Sequence, residues 1–368
     1  MFCNPYIQFL RYCLEGAVPL PDGVKSIDWT KMMAWAEAQA IVGVIYGGIE
    51  KAGKSLNIPF DDLMKWIGYA QLIETRNRLL NDRCVKIVDR FTADGYRCCI
   101  LKGQGNALMY PKPLLRTSGD IDLWSFHPNP SPKGEGGNVR NIIKYVKRKN
   151  PKAKVTYHHI DYGAYKGVEV EIHYRPTYLY DAFTNRRLQK WMTQHGSCKM
   201  VELPDGEGHI PVPTWEFNIV YQLSHIYRHI MKEGVGMRQV IDYYYLLKSE
   251  ECRVKCEESD TAMHDTLKCL GLMEIAGAVM WVLRVALGLE EQYLIVPADE
   301  RRGRFLYNEI MHGGNFGQHD SRVNRAVSPL ARNVQRLKRD FRLVRYFPSE
   351  CLWEPVFRWY HFFWRMAH

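Results

Sequence analysis

One short segment constrains the fold more than any other: the apolar run Ile121–Trp124, with one aspartate inside it and another directly before it. Asp120 and Asp122 are two residues apart, so on a strand their side chains emerge on the same face. Ile121 and Leu123 then point the other way, into a core. Neighbouring carboxylates repel each other unless a positive charge lies between them, and a divalent cation with oxygen ligands supplies that charge. The segment predicts a strand that presents a metal-binding carboxylate pair.

A later segment offers a third carboxylate. Apolar and polar residues alternate through Val168–Tyr174, as they do in a strand with one buried face. Glu171 on the polar face is our candidate for the third metal ligand, and Glu169 is a less favoured substitute. A third carboxylate would complete a two-ion site that clamps the attacking and leaving oxygens at phosphorus.

Histidines accompany this carboxylate. His173 shares the face of Glu171, where it would orient Glu171, contact substrate or act as a base; the favoured alternative is a structural histidine. Lys154–Ile160 is predicted to be the partner strand, joined through Asp161–Gly167. His158 and His159 lie on that partner strand, and one of them is expected to face the site.

A glycine-bearing turn, Lys102–Gly105, lies between a predicted strand, Tyr96–Leu101, and a short predicted helix, Asn106–Tyr110. Glycines let a backbone approach phosphate oxygens closely, and a helix N-terminus offers amide donors. Lys102 or Arg116 would add positive charge. The turn therefore predicts a cradle for a phosphate-bearing ligand.

Helical patterns dominate the chain on both sides of the strands. Trp29–Ile49 and Asp61–Asp94 have helical spacing, and the pattern returns from Pro213 onward. Met273–Leu289 is the most apolar long stretch, but its two charges and its length favour a buried helix over a bilayer span. We expect an α+β fold with a small mixed sheet flanked by helical segments. The chain divides into an N-terminal helical region at 1–94, a mixed-sheet core at 95–212 and a C-terminal helical domain at 213–368.

Charge and cysteine content indicate which partners and which cellular compartment to expect. The net charge of +10 and the pI near 9.0 favour anionic partners such as nucleotides, nucleic acids or an anionic membrane surface, with a merely solvated basic surface as the alternative. The ten cysteines show no metal-binding or disulfide spacing, which indicates a reducing cytoplasm. The N-terminal residues lack the pattern of a secretory signal.

Four further patterns in the C-terminal half have competing interpretations. His225 and His229 have the spacing of a zinc-chelating pair, although hydrogen bonding between helices is favoured. Arg238 and Asp242 are spaced for a helical ion pair, or Arg238 faces a triphosphate. The basic segment Arg332–Arg345 favours a solvated helix face over a nucleic-acid contact. The last pattern is an aromatic helical stripe, for which core packing is expected and docking to a membrane surface or partner is the alternative: Trp353, Phe357, Tyr360 and Trp364.

Taken in order, these motifs resemble the nucleotidyltransferase superfamily with a DNA polymerase beta-like catalytic fold. More narrowly, they resemble the uncharacterised nucleotidyltransferases that are common in bacterial genomes. The resemblance covers most of the chain. The matching motifs are LKG (Leu101–Gly103), Arg116, GDIDLW (Gly119–Trp124), HHIDY (His158–Tyr162), VEIHYRP (Val170–Pro176) and HIYRHIMKEGVGMRQVIDYYYLL (His225–Leu247).

The resemblance implies a catalytic metal site at Asp120, Asp122 and Glu171, holding Mg²⁺ or, as an alternative, Mn²⁺. It also implies a nucleoside triphosphate substrate, with ATP expected. The implied nucleotide contacts are Lys102, Gly103, Gln104, Arg116, Ser118, Gly119 and Arg238. The implied supporting residues around the ligands are His173, His159 and Asp242.

Two departures from the superfamily pattern concern phosphate binding. Gly103 is followed by Gln104 where the superfamily has glycine or serine, and the interval to Asp120 is longer than usual. The leading hypothesis is transfer of a nucleoside monophosphate to an acceptor hydroxyl of a small molecule or protein, with release of pyrophosphate. The alternatives are a non-catalytic nucleotide- or partner-binding protein, such as a regulatory or toxin–antitoxin component, and a nucleic-acid-processing enzyme.

Overall fold

The computed structural model describes residues 4–16, 19–126, 135–249, 260–323 and 328–367. It contains a four-stranded mixed sheet and a separate two-stranded sheet, with helical segments before and after them in the chain. The α+β class predicted from the sequence is therefore confirmed.

The strands and helices have these bounds. The strands are β1 Arg97–Ile100, β2 Ile121–Phe126, β3 His159–Tyr165, β4 Val168–His173, β5 Cys198–Glu202 and β6 His209–Pro213. The helices up to the second sheet are α1 Pro5–Leu14, α2 Trp29–Ala38, α3 Val42–Ala52, α4 Phe60–Ala93, α5 Gln104–Ala107, α6 Glu135–Lys149 and α7 Ala182–His195. The later helices are α8 Trp215–Lys232, α9 Met237–Lys248, α10 Asp260–Cys269, α11 Met273–Leu287, α12 Glu300–Gly313, α13 Pro329–Leu343 and α14 Pro348–Ala367.

The larger sheet has the strand order β1-β2-β4-β3. β2 and β4 are parallel, whereas β1 pairs antiparallel with β2 and β3 pairs antiparallel with β4. Leu123 and Ile172 are register partners and fully buried, so one face of the central strand pair belongs to the core. Asp122 and Glu171 are also register partners, and by strand alternation their side chains leave from the opposite face.

The predicted partner strand Lys154–Ile160 is displaced in the structure. β3 begins only at His159 and continues to Tyr165, through residues for which the sequence predicts a connection. A register shift between Asp161 and Gly163 accommodates the glycine within the strand, so glycine here marks a bulge and not the strand end. The connection is reduced to the tight turn at Lys166–Gly167.

The predicted helix Trp29–Ile49 is two helices, α2 and α3, separated around Ala40, whose φ is +57°. The side chain of Gln39 is buried there, where it accepts from the amide of Met237 and donates to the carbonyl of Ile310. Gly48 lies inside α3 and does not end it. A Cβ at Gly48 would lie 2.1 Å from the sulfur of Cys13, so this glycine permits close packing on α1.

The buried helix predicted at Met273–Leu289 is confirmed as α11, most of whose side chains are buried. Within the described ranges, no helix is both long enough and apolar enough to cross a bilayer. Cys84, Cys98 and Cys99 are buried free thiols, which agrees with the absence of a disulfide pattern in the sequence.

The chain forms two compact units. The helical unit comprises Met1–Thr75, Leu114–Thr117 and His229–Pro348, and its core includes α11. The sheet unit comprises Arg76–Pro113, Ser118–Arg228 and Ser349–His368, and it contains both sheets. The three-region division 1–94, 95–212 and 213–368 stays a prediction.

Candidate active site

The carboxylate pair of β2 meets a third carboxylate on β4. Asp120 directly precedes β2, Asp122 is its second residue, and Glu171 is the register partner of Asp122 on the parallel strand. Neighbouring strands lie about 4.8 Å apart, so in-register side chains on one face are close neighbours. Asp122 is buried, Glu171 is partly exposed and Asp120 is exposed.

Two basic groups contact Asp122. The Lys102 ammonium lies 2.9 Å from Oδ2, and His173 Nε2 lies 2.9 Å from Oδ1. The amide of Leu101 donates to the carbonyl of Asp122 at 3.0 Å, which carries Lys102 to this carboxylate directly after β1. Burial alone would raise the pKa of Asp122, but Lys102 and His173 hold it well below its usual range.

Histidines also bind Glu171. Its Oε2 lies 3.4 Å from His173 Nε2 and 3.1 Å from His159 Nδ1. Burial opposes ionisation, but the hydrogen bond from His173 and the charges of His159 and His173 together lower the pKa of Glu171 to about 2. Burial would likewise lower the pKa of His173, but the hydrogen bonds to Asp122 and Glu171 raise it. His173 therefore bridges the two carboxylates.

The histidine network continues along β3. His159 Nε2 lies 3.3 Å from Asp161 Oδ1, and His159 Nδ1 lies 3.2 Å from His158 Nε2. His158 is buried and also accepts from Arg228 on α8 at 3.0 Å. Of the two neighbouring histidines, His159 is the one that contacts Glu171.

An open cleft of about 400 Å³ lies over these strands. Its lining residues are Arg76, Gly119, Asp120, Asp161, Glu169, Val170 and Glu171. Asp122 repels the neighbouring carboxylate, so the pKa of Asp120 is raised. The cleft is therefore a strongly acidic environment in which additional positive charge is favourable.

Groups of at least three metal-ligating side chains occur at this site within the described residues. Their ligand atoms lie within 4.8 Å of one another, and the groups are Asp122–Glu171–His173, His159–Asp161–Glu171 and His158–His159–His173. Asp120 belongs to none of these groups, although it lines the same cleft as Glu171. Glu169, the substitute ligand considered from the sequence, also lines the cleft.

The glycine turn lies in the same unit. Gly103 adopts φ +54° and ψ −113°, and a Cβ there would lie 3.7 Å from the carbonyl oxygen of Asp120. Gln104 is buried and donates to the side chain of Asn81 and to the carbonyl of Asn77. The turn therefore approaches the start of β2 through Gly103, while the side chain of Gln104 packs on α4.

The other expected nucleotide contacts fall in both units. Ser118 and Gly119 belong to the sheet unit, and Gly119 lines the cleft. Arg116 and Arg238 belong to the helical unit with Asp242. Arg116 donates to both Asp242 oxygens at 2.7 and 2.6 Å.

Arg238 donates to the carbonyl of Thr117 at 3.0 Å, and its guanidinium stacks 5.6 Å from the ring centre of Phe316. His225 accepts from Arg228 at 3.3 Å, and His229 lies 2.6 Å from Glu233. Neither histidine belongs to the metal-ligating groups of the described residues, and these contacts are local to α8 and its C-terminal end, so hydrogen bonding between helices stays a prediction.

Two cleft residues were not assigned a role from the sequence. Arg76 of α4 donates to the carbonyls of Gly119 and Gly167 at 3.4 and 3.2 Å. An arginine within a long helix carries no spacing signal for a site whose other residues follow only after that helix has ended. Asp161 lies in the HHIDY motif and is the register partner of Glu171. The predicted strand ended at Ile160, so the sequence did not indicate this pairing.

Comparison with known proteins gives one match that covers most of the chain. Residues 25–288 match the family model described as "Uncharacterised nucleotidyltransferase". Curated proteins give no match. A crystal structure of an antigenic nucleotidyltransferase-like protein from Paracoccidioides brasiliensis aligns with 54% of this chain and 92% of that one, at 12% identity and a TM-score of 0.28. The family resemblance is confirmed: the chain belongs to the uncharacterised nucleotidyltransferase family.

Proposed function

We propose that the chain is a metal-dependent enzyme that transfers a nucleoside monophosphate from a nucleoside triphosphate to an acceptor hydroxyl. The observation that carries the proposal is the in-register pair Asp122–Glu171, with Asp120 beside it at an open acidic cleft. Membership of the nucleotidyltransferase family supports the reaction class. In the reaction the acceptor oxygen bonds to the α-phosphorus, the bond to the bridging oxygen breaks, and pyrophosphate leaves.

The donor set fits a divalent cation. Carboxylate oxygens of Asp122 and Glu171 and a nitrogen of His173 lie within 4.8 Å of one another, and carboxylates outnumber the arginine in the cleft lining. Asp120, Asp122 and Glu171 would hold the ion, with Mg²⁺ expected and Mn²⁺ as the alternative. When bound, the ion would supply charge neutralisation at the phosphates.

The chain's own groups have separate tasks in this proposal. Lys102, now 2.9 Å from Asp122, is placed to turn towards the phosphates when a cation takes over the neutralisation of that carboxylate. Gly103 brings the backbone close to the triphosphate. Glu171, which its low pKa keeps ionised, would hold the cation and accept a hydrogen bond from the acceptor hydroxyl, which helps to deprotonate that hydroxyl. His173 and His159 orient Glu171.

ATP is the expected nucleotide. The contacts assigned to Arg116 and Arg238 remain predictions, as does the cytoplasmic location. The acceptor is defined by its hydroxyl group, on a small molecule or a protein.

Pyrophosphate release provides the test. The purified chain is incubated with each nucleoside triphosphate, Mg²⁺ or Mn²⁺, and a panel of hydroxyl acceptors. Asp120→Asn should lower the rate by about 100-fold or more, because stabilisation of charge by a metal is worth several kcal/mol. Asp89→Asn, an exposed aspartate on α4 in the same unit, is the matched control and should retain full activity. Equal activity of Asp120→Asn and the natural chain would remove Asp120 from the site.

The contact between Lys102 and Asp122 favours a second candidate, nucleotide binding without turnover, because an ammonium group already neutralises the buried carboxylate. Calorimetry distinguishes the two. Tight binding of ATP that is unchanged by removing the divalent ion, with no product by mass spectrometry, would support the binding protein. Binding that requires the ion and is accompanied by product supports the enzyme, whereas ion-dependent binding without product again supports the binding protein.

A further inference from the structure

The last helix, α14, is apolar on two faces. One face packs on the sheet unit: Phe357 stacks on Tyr178 with ring centres 4.9 Å apart, and Trp364 lies edge-on to Tyr157 at 5.8 Å. Phe357 and Trp364 are buried, as core packing of the aromatic stripe predicts. Tyr360, assigned to the same stripe, is instead 52% exposed, so the core prediction was wrong for it.

The other face of α14 is exposed although it is equally apolar. Its large side chains recur at alternating four- and three-residue steps, which places them on one stripe. They are Leu352 (69% exposed), Val356 (53%), Trp359 (68%), Phe363 (60%) and Met366 (73%). A helix that is hydrophobic all round is normally buried on every side. The exposed stripe therefore fits a second apolar medium.

Exposed charge on α14 itself is positive. Residues 348–367 carry two arginines and two glutamates. Glu350 and Glu354 are buried, whereas Arg358 is half-buried and Arg365 is exposed. The helix therefore presents positive charge to solvent with little exposed negative charge.

Helix α13, in the helical unit, also combines exposed apolar side chains with exposed basic ones. Val334, Leu337 and Phe341 are exposed at helical spacing, with Phe341 at 79%. Arg332, Arg336, Lys338 and Arg345 are exposed on the same helix and just after it. An apolar stripe rimmed by Lys and Arg is the pattern of a helix that lies in a membrane interface.

We propose that the open stripe of α14 docks on an anionic phospholipid membrane surface, with α13 as a second membrane-binding element. Basic side chains match the negative headgroups, and Trp, Phe and Met match the boundary with the acyl chains. A second copy fits less well, because helix pairing by alternating steps favours Leu, Ile and Val over Trp and Phe. Nucleic acid provides no environment for an apolar stripe of this width. Both helices follow residue 288, where the match to the family model ends.

Vesicle flotation with the full chain tests the proposal. The chain should float with vesicles of phosphatidylcholine mixed with phosphatidylglycerol, and much less with phosphatidylcholine alone. Trp359→Ser and Phe363→Ser should each weaken binding by about tenfold or more, because each removes a large apolar side chain that the membrane would bury. Phe60→Ser is the matched control, since Phe60 is 73% exposed at the start of α4, and it should bind as the natural chain does.

Basic residues are tested separately. Arg336→Glu combined with Lys338→Glu should weaken binding to the anionic vesicles, and raised salt should do the same. Both helices carry exposed positions for these changes, so thermal unfolding of the variants should stay close to that of the natural chain.

Three outcomes would overturn the proposal. One is the absence of flotation, or flotation that Trp359→Ser leaves unchanged. Another is a dimer by light scattering that Trp359→Ser dissociates, which would identify a second copy as the occupant. The last is oligonucleotide binding of similar strength in the natural chain and Phe363→Ser, without vesicle binding.

Discussion

Two buried aspartates, one in each unit, are neutralised in different ways. Asp242 in the helical unit is held by both donors of Arg116, and both side chains are almost fully buried. Asp122 in the sheet unit is held by the buried imidazole of His173 and by the ammonium of Lys102, whose side chain is 21% exposed. The first pair is closed, with rigid two-point geometry. The second pair is open, because a flexible lysine can leave for solvent or another anion.

The two pairs also differ in the amount of negative charge around them. Asp122 is accompanied by Glu171 and by Asp120 at the cleft, so the negative charge there exceeds what Lys102 neutralises. We expect the closed pair, Arg116–Asp242, to stabilise the fold. In the open pair we expect Asp122 to exchange Lys102 for another cation. Burial of an acidic group by itself therefore does not identify a functional carboxylate.

The largest expected effect comes from breaking the closed pair. Asp242→Asn should lower the free energy of unfolding by about 3–5 kcal/mol, because Arg116 loses its charge partner in a buried position. Asp122→Asn should lower it by less, since Lys102 can turn to solvent, His173 keeps Glu171 as a partner and the repulsion of Asp120 is relieved. Urea unfolding of the two variants measures both values. Equal losses of unfolding free energy in the two variants would contradict the distinction between a closed and an open pair.

A third buried carboxylate, Glu350, sharpens the comparison. Its oxygens accept from the backbone amides of Tyr180 and Asp181 at 2.7 and 3.0 Å, and burial raises its pKa to about 7. The unfolded chain then loses this proton near pH 4.5 while the folded chain keeps it, so stability falls as pH rises between the two pKa values. The loss amounts to about 3 kcal/mol.

Urea unfolding of the natural chain and of Glu350→Gln, from about pH 5 to about pH 8, measures this dependence. The natural chain should lose stability with rising pH relative to Glu350→Gln. Glu202→Gln, at an exposed position of β5, should follow the natural chain. Parallel curves for all three proteins would contradict the raised pKa.

The smallest expected effect concerns the turn that carries Lys102 to the open pair. Gly103→Ala should cost about 1–2 kcal/mol of unfolding free energy, because φ +54° with ψ −113° is unfavourable for alanine. Gly119→Ala, where a Cβ would have open space, is the control and should cost a few tenths of a kcal/mol. Thermal unfolding measures both. A harmless Gly103→Ala would mean that the turn relaxes without strain.

Much of the sheet could be predicted because strand periodicity is local. Asp122 and Glu171 were assigned to strands from alternation alone, and the structure has β2 and β4 at those positions, while Asp120 directly precedes β2. The start of β3 was misassigned because Gly163 has the appearance of a turn residue, and only pairing with β4 turns it into a bulge. Gln39 likewise splits the predicted helix through hydrogen bonds to distant backbone groups.

The sequence by itself determined which residues share a face, because side-chain direction follows from the repeat of a strand or helix. It also determined the family, through motifs at fixed order. Only the tertiary structure decided which cation neutralises which carboxylate: Lys102 for Asp122, and Arg116 for Asp242. The reason is that partner choice depends on contacts between elements far apart in the chain, and local spacing contains no record of those contacts.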